Sequence, residues 1–301
     1  MSTNAFVVAT TLEEAVRAMG AGARPIAGGT DLVVGSRQSK APLPDSLVAI
    51  HRVEELRGIT PSDGGLRIGA LVTHEELVLH PVIRERFTAL ADAAAIVGSH
   101  ATRAQGTIGG NLMNASPAME IGGPLVCLDA AVTLSSERGS RRLPVADLFA
   151  GPGETTADPG ELLSFVDVPP AEDGAGSCYL RLEYRRQMEI AVVGATAAVR
   201  LADERVADAW VAITALAPTI RRVHEAEAAL VGSDGGREHA EKAARAAAVA
   251  AAPISDVRAS ADYRRAMAAV ITRRAVQVAV ARARGEVVPV PAGSAPSLDT
   301  P

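Results

Sequence analysis

Two pairs of adjacent glycines, set among hydroxyl, amide and carboxyl side chains, constrain this chain more than any other feature of its sequence. The first lies in Ala27-Gly28-Gly29-Thr30-Asp31-Leu32. The second lies in Gly106-Thr107-Ile108-Gly109-Gly110-Asn111-Leu112, which runs on to Asn114-Ala115-Ser116-Pro117. Lacking a Cβ, adjacent glycines can turn backbone N–H groups toward one point and let a phosphate approach the main chain. A lone pair reads as a tight turn; two pairs with such neighbours point to one shared diphosphate. Neither is a GxGxxG behind a strand, and neither is a GxxxxGK followed by Ser or Thr. The dinucleotide-binding doubly wound fold and the P-loop therefore lack their fingerprints.

Around these loops the chain reads as alternating short strands and helices. Thr10 to Gly20 offers a Thr cap, early acidic residues and an apolar face of Leu12, Ala15, Val16 and Met19, which predicts a short amphipathic helix. Ser46 to Ile50 reads as a strand, so the opening residues form a small α/β unit. Strand-type runs LRIGA, AVTLSS and LLSFVDV then flank a predicted helix over Pro81 to Val97, closed by Gly98. From Ser177 on, CYLRLEY, AVVGATAAVRL and WVAITALA read as three strands. Arg221 to Val231, Gly236 to Ala252 and Ser260 to Arg284 read as helices. The expected division is 1–56, 57–173, 174–285 and a tail, 286–301, rich in Pro, Gly and Ser, that is flexible unless a neighbouring subunit pins it.

Several function classes fall away. With 30 basic and 35 acidic residues, net −5, the chain has no electrostatic reason to seek nucleic acid or an anionic membrane. No stretch approaches the roughly 20 apolar residues of a membrane span, and no basic-then-apolar leader opens the sequence; a cytoplasmic location is expected. Cys127 and Cys178 belong to no CxxC pair, and Cys127 sits in an apolar run as a buried thiol would. The six histidines, His51, His74, His80, His100, His224 and His239, show no metal-ligand spacing. His100, just ahead of the second loop, is a candidate for touching a cofactor there. No GxSxG elbow supports a hydrolase.

The residues also carry a resemblance. AGGTDL, IGALVTHEEL (Ile68 to Leu77), GTIGGNLMNASPAMEIGGPLVCLDAAVTL (Gly106 to Leu134) and YRRQMEIAVVGA (Tyr184 to Ala195) closely resemble the medium, FAD-binding subunit of the xanthine dehydrogenase and aerobic carbon monoxide dehydrogenase family. ADYRRAMAAVITRRAV (Ala261 to Val276) resembles that family's C-terminal flavoprotein domain. The likeness runs from about Phe6 to Arg284, with the motifs in the family's order.

The resemblance implies an α+β fold: a two-part FAD-binding domain of the PCMH, vanillyl-alcohol-oxidase-like, type, then a three-stranded antiparallel sheet with a helical bundle. It implies that Ala27, Gly28, Gly29, Thr30, Asp31 and Leu32, with Thr107, Ile108, Gly109, Gly110 and Asn111, surround the FAD diphosphate. Ser116 and Glu120 would be polar contacts to the cofactor, and Leu163 and Ile190 would lie at the isoalloxazine ring. Arg181, standing where Lys is common, and Glu189 would also be among the cofactor-binding residues. Glu120 and Glu189 stand where the family usually has Asp, so their reach is longer by a methylene.

By the same resemblance no residue of this chain is catalytic toward the organic substrate. Hydroxylation would occur on molybdopterin cytosine dinucleotide with molybdenum in a large subunit. A small subunit with two 2Fe–2S clusters would bring electrons to this FAD, for an NAD, quinone or other acceptor, in a dimer of heterotrimers. Carbon monoxide dehydrogenases tend to have His-Ser after the first glycines, so AGGTDL favours an organic substrate. The rival readings are a self-sufficient flavin oxidoreductase and an assembly subunit that has lost its flavin.

Overall fold

The computed structural model describes residues 5–39, 41–185 and 187–294. Strand β1 (Ala5–Val8), helix α1 (Leu12–Gly20), strand β2 (Arg24–Ile26), helix α2 (Leu32–Arg37) and strand β3 (Ser46–Ala49) form the opening unit. Its three strands are parallel, in the order β1-β3-β2. Helix α1 begins where Thr11 Oγ1 accepts the Glu14 amide at 3.2 Å, and it buries Ala15 and Val16 against β3. The first glycine loop is the connection from β2 to α2.

A second unit follows: β4 (Ile59–Ser62), β5 (Gly65–Gly69), α3 (His74–Leu79), α4 (Pro81–Arg86), α5 (Thr88–Ile96), α6 (His100–Arg103), α7 (Ile108–Asn114) and α8 (Gly122–Cys127). It is completed by β6 (Ala131–Ser136), β7 (Gly139–Pro144), the short hairpin β8 (Phe149–Gly151) and β9 (Glu154–Thr155), and β10 (Leu162–Val168). Its five-stranded sheet is antiparallel, ordered β4-β5-β10-β6-β7, with a bulge in β10 between Leu163 and Phe165. The helix expected over 81–97 is broken: Phe87, at φ −123° and ψ 50°, leaves the helical region. Its ring is buried in the core, and the break redirects α5 onto the C-terminal sheet, where Thr88 Oγ1 donates to the Ser177 carbonyl at 2.6 Å.

The third unit contains β11 (Ala175–Leu182), β12 (Val193–Ala202), β13 (Arg205–Thr214), β14 (Arg221–Arg222), α9 (His224–Ala228), α10 (Arg237–Ala250) and α11 (Ala261–Ala283). The three expected antiparallel strands are present, and β14 adds a fourth, two-residue strand where a helix was expected to start. Arg222 is held there by Asp129 at 2.9 Å and Glu227 at 2.6 Å, so helix α9 starts only at His224. Alternation sets the two faces of this sheet. Cys178, Val193, Ala195, Ala197, Val199, Val211 and Ile213 pack on α10 and α11, whereas Tyr179, Ala198 and Ala212 join the core of the second unit.

Buried Asp92 of α5 ties the units together. It accepts two bonds from Arg282 of α11, at 2.6 and 3.0 Å, and one each from the amides of Tyr179 and Ala292, at 3.2 and 2.9 Å. Ala292 belongs to the segment expected to be flexible or held by a partner; up to residue 294 it runs back along its own chain, and Ala292 is buried. No described helix is long and apolar enough to cross a membrane.

Candidate functional site

The two glycine loops, about 80 residues apart in sequence, meet. A Cβ on Gly28 would lie 1.8 Å from the Gln105 carbonyl oxygen and 3.3 Å from the Gly106 nitrogen, so the first loop rests directly on the backbone that opens the second. A Cβ on Gly106 would in turn lie 3.4 Å from Thr30 Oγ1. Asn114 Nδ2 donates to Asp31 Oδ1 at 3.4 Å. Gly29 has φ +69°, the left-handed region that glycine enters at no steric cost, and this turns the chain from β2 into α2. Among the described residues, the amides of Gly28, Gly29 and Thr30 meet no protein acceptor.

The second loop uses its amides differently. Thr107 caps α7, its Oγ1 accepting the Gly110 amide at 3.1 Å. The Ile108 amide goes to the Val72 carbonyl at 2.9 Å, the Gly109 amide to the Ala70 carbonyl at 3.0 Å, and the Asn111 amide to Thr107 at 2.9 Å. Sequence alone suggested amides of both loops converging on a phosphate, but here those of Ile108 to Asn111 already have partners within the chain. Gly109 is a packing glycine: its Cβ would stand 2.7 Å from Ala70 Cβ and 2.8 Å from Ala70 O. Gly110 is exposed, and a Cβ there would meet only Thr107 Oγ1, at 3.0 Å. It therefore presents bare main chain outward. Asn111 Oδ1 is buried without a hydrogen-bond partner, an acceptor that a donor such as a sugar hydroxyl of a bound dinucleotide could satisfy. The open amides of the first loop, which donate, fit the diphosphate of such a molecule.

The remaining expected residues fall in two groups. Ser116 follows α7, its Oγ accepting the Ala118 amide at 3.3 Å. Leu163 is buried in the core at the β10 bulge, so it can offer a ligand its main chain but not its side chain. Glu120 and Arg181 form an ion pair with side chains only 9% and 1% exposed. Burial pushes the Glu120 carboxyl up to about 7 although Arg181 pulls the other way. Arg181 also donates through Nε to Glu183 at 2.6 Å and through Nη1 to the Glu189 carbonyl at 3.3 Å. Glu189 Oε1 accepts the Ile190 amide at 3.0 Å, and Ile190 itself is 48% exposed. The segment carrying them reaches the region ahead of the second loop, where the Met188 amide donates to the Gly98 carbonyl at 3.0 Å. His100 lies there too, with its Nδ1 at 3.0 Å from Arg103 Nη2.

Sequence reasoning gave His74 no role, yet it sits at the seam of the two loops. Its amide donates to the Gly106 carbonyl at 3.1 Å, its ring Cδ2 would lie 3.3 Å from a Cβ on Gly106, and the preceding Thr73 bridges Thr107. Burial, and then the nearby charge of Arg103, lower its pKa to about 4, so the ring is neutral near pH 7. The visible signal was the capping box Thr73-His74-Glu75-Glu76, which fixes the ring at the first turn of α3.

The described residues form an α+β protein in which two glycine loops meet, which agrees with the flavoprotein class of PCMH type that the resemblance implies. The chain belongs to the family described as the FAD binding domain in molybdopterin dehydrogenase, which it matches over residues 2–171, and residues 179–279 match the CO dehydrogenase flavoprotein C-terminal domain. It is 34% identical over 285 residues to the 6-hydroxypseudooxynicotine dehydrogenase complex subunit alpha of Paenarthrobacter nicotinovorans, covering 93% of this chain and 95% of that one. It is 30% identical over 264 residues to the carbon monoxide dehydrogenase medium chain of Hydrogenophaga pseudoflava, covering 88% and 91%. A solved structure of the carbon monoxide dehydrogenase from that organism, lacking the Mo-pyranopterin moiety of its cofactor, superposes with a TM-score of 0.89 at 31% identity, over 92% of this chain and 97% of the other. The chain is thus the FAD-binding subunit of a molybdenum-dependent oxidoreductase.

Proposed function

We propose that this chain holds one FAD as the electron-transfer subunit of a cytoplasmic heterotrimeric molybdenum hydroxylase, taking electrons from 2Fe–2S clusters of a small subunit and delivering them to an external acceptor such as NAD or a quinone. The large subunit would carry molybdopterin cytosine dinucleotide and the substrate chemistry, and two heterotrimers would pair. FAD exchanges electrons singly or in pairs, which suits it to join iron–sulfur centres to a two-electron acceptor.

The observation that carries this reading is the contact of the two loops, with open amides in the first and an exposed glycine in the second. In this reading Gly28, Gly29 and Thr30 donate their amides to the diphosphate, with Ala27, Asp31 and Leu32 shaping the turn. Thr107 and Asn111 add side-chain contacts, Gly110 gives the close approach, and Ile108 and Gly109 seat α7 on the sheet. Ser116 and the main chain of Leu163 line the way to the ring, and exposed Ile190 supplies an apolar contact to it. No residue here acts as a general base on the organic substrate. The subunit names of the relatives, medium chain and subunit alpha, support membership of a larger complex. The extents proposed for the folding units are 1–56 and 57–173 for the FAD-binding domain, 174–285 for the C-terminal domain, and 286–301 for the tail.

Titrating the purified chain with FAD tests this directly: saturation at one FAD per chain, with shifted flavin absorption bands, is expected. A correctly folded chain that takes up no FAD, alone or co-expressed with the large and small subunits, overturns it.

A further inference from the structure

The family resemblance counts Glu120, Arg181 and Glu189 among the cofactor-binding residues, but the Glu120 and Arg181 side chains bond one another and that of Glu189 bonds within its own loop. Arg181 lies on the face of the C-terminal sheet that packs against the FAD-binding domain, two residues from Tyr179. Its guanidinium is shared three ways, to the carboxylates of Glu120 and Glu183 and to the main-chain carbonyl of Glu189. A second arginine, Arg185, bonds the Met188 carbonyl and stands 3.4 Å from Glu189 Oε2. The loop between β11 and β12 is thus held at its Glu189 end by a buried charge. At Met188 it touches the segment before the second glycine loop: besides the Gly98 bond, Thr102 Oγ1 approaches Met188 Sδ at 3.6 Å, and the Thr102 carbonyl accepts the Gly106 amide at 2.7 Å. An unbroken series of contacts runs from Glu120 through Arg181, Glu189 and Met188 to Thr102 and Gly106.

We propose that Glu120 and Arg181 are positioning residues, whose ion pair across the two domains fixes residues 187–191, and with them Ile190, against the approach to the second glycine loop. A charged donor that is already desolvated holds a carbonyl more firmly than a neutral one does. Glu120, from the FAD-binding domain, aims that donor, so the loop of one domain is set by a carboxyl group of the other. The proposal rests on the FAD reading only for what the placed loop lies beside.

The test uses the full chain. Removing one partner alone leaves a buried charge, which destabilises the fold broadly, whereas removing both with volume kept is tolerated. The double variant Glu120→Gln/Arg181→Met leaves the Glu183 carboxylate, 28% exposed, free to turn to water; it should therefore melt near wild type, while amides of 187–191 exchange with deuterium roughly tenfold faster or more in the FAD-free chain, as expected when a hydrogen bond to a charged group is lost. Arg181→Lys, which keeps the charge, should fall between the two. With FAD bound, the double variant should retain one flavin per chain but shift its absorption spectrum and midpoint potential. Unchanged exchange in the loop overturns the proposal. So does loss of FAD with the loop still protected, which would make the pair direct cofactor contacts. If the wild-type chain binds no FAD but the loop loosens as described, the positioning role stands and the FAD reading falls.

Discussion

In the first glycine loop the amides of Gly28, Gly29 and Thr30 meet no acceptor among the described residues, whereas in the second every amide from Ile108 to Asn111 is bonded within the chain. The sequences look alike, yet their glycines do unlike things. Gly28 and Gly109 are required because another backbone or a methyl group stands where their Cβ would be; Gly29 is required by its positive φ; Gly110 alone is exposed, and its Cβ would press only on the Thr107 hydroxyl, at 3.0 Å. One loop supplies donors, and the other supplies a rigid wall whose outer glycine keeps side chains out of the way. Adjacent glycines in sequence therefore identify a close approach without saying whether the neighbour is ligand or protein.

The sharpest way to break this contrast is to fill the glycines one at a time. Gly28→Val sets a side chain into the Gln105 carbonyl, a collision of backbone with Cβ that no rotamer relieves. We expect a loss of about 3 kcal/mol or more in denaturant unfolding of the FAD-free chain, together with loss of FAD. Normal stability would show that the loops do not touch. Gly110→Val should do the reverse. Its Cβ crowds the Thr107 hydroxyl that caps α7, so unfolding should change by no more than about 1 kcal/mol, the worth of that cap, while FAD affinity in a fluorescence titration drops about a hundredfold, near 2.8 kcal/mol. If Gly110→Val keeps stoichiometric FAD, the second loop is not at the diphosphate.

That much of the site was legible because its signal is local: glycine pairs, their polar neighbours and motif order all lie in short windows. The strands LRIGA, AVTLSS and LLSFVDV and the long final helix were legible for the same reason, through their periodicity. What stayed hidden depends on distant partners. The carbonyls of Ala70 and Val72, which occupy the second loop's amides, lie in a stretch with no polar signature. Arg181 finds Glu120 61 residues away, and Arg282 finds Asp92 190 residues away, so neither pairing leaves a trace in the order of residues. The break at Phe87 is likewise a tertiary decision, since Pro81 to Val97 has nothing locally that stops a helix.

His74 lies at the seam where the loops meet, and its titration sharpens the contrast by reporting on that seam alone. Its folded pKa of about 4 lies below the ordinary 6.5, so below pH 6.5 the unfolded chain binds a proton that the folded chain refuses. Stability is therefore lost as pH falls through this window, by about 2 kcal/mol between pH 7 and pH 5 at about 1.4 kcal/mol per pKa unit. Glu120 acts in the opposite sense: its contribution is full below 4.5 and is lost as pH rises through about 7. The difference between wild type and His74→Gln, measured by urea unfolding across this range, isolates the histidine. That difference should move in the variant's favour on acidification; a pH-independent difference would mean the ring is not enclosed at the seam.

The smallest effect separates the two duties of Thr107. Its Oγ1 accepts the Gly110 amide at 3.1 Å, which leaves its own hydrogen free to donate outward. Thr107→Ala should cost about 1 kcal/mol of stability through loss of the helix cap. It should also weaken FAD about tenfold if the hydroxyl donates to the diphosphate, 1.4 kcal/mol being tenfold in affinity. Thr107→Ser keeps both the acceptor and the donor and should restore both properties. A variant that loses the cap energy yet binds FAD at wild-type strength would reduce Thr107 to a structural cap. The second loop would then contribute its shape and the Asn111 side chain alone.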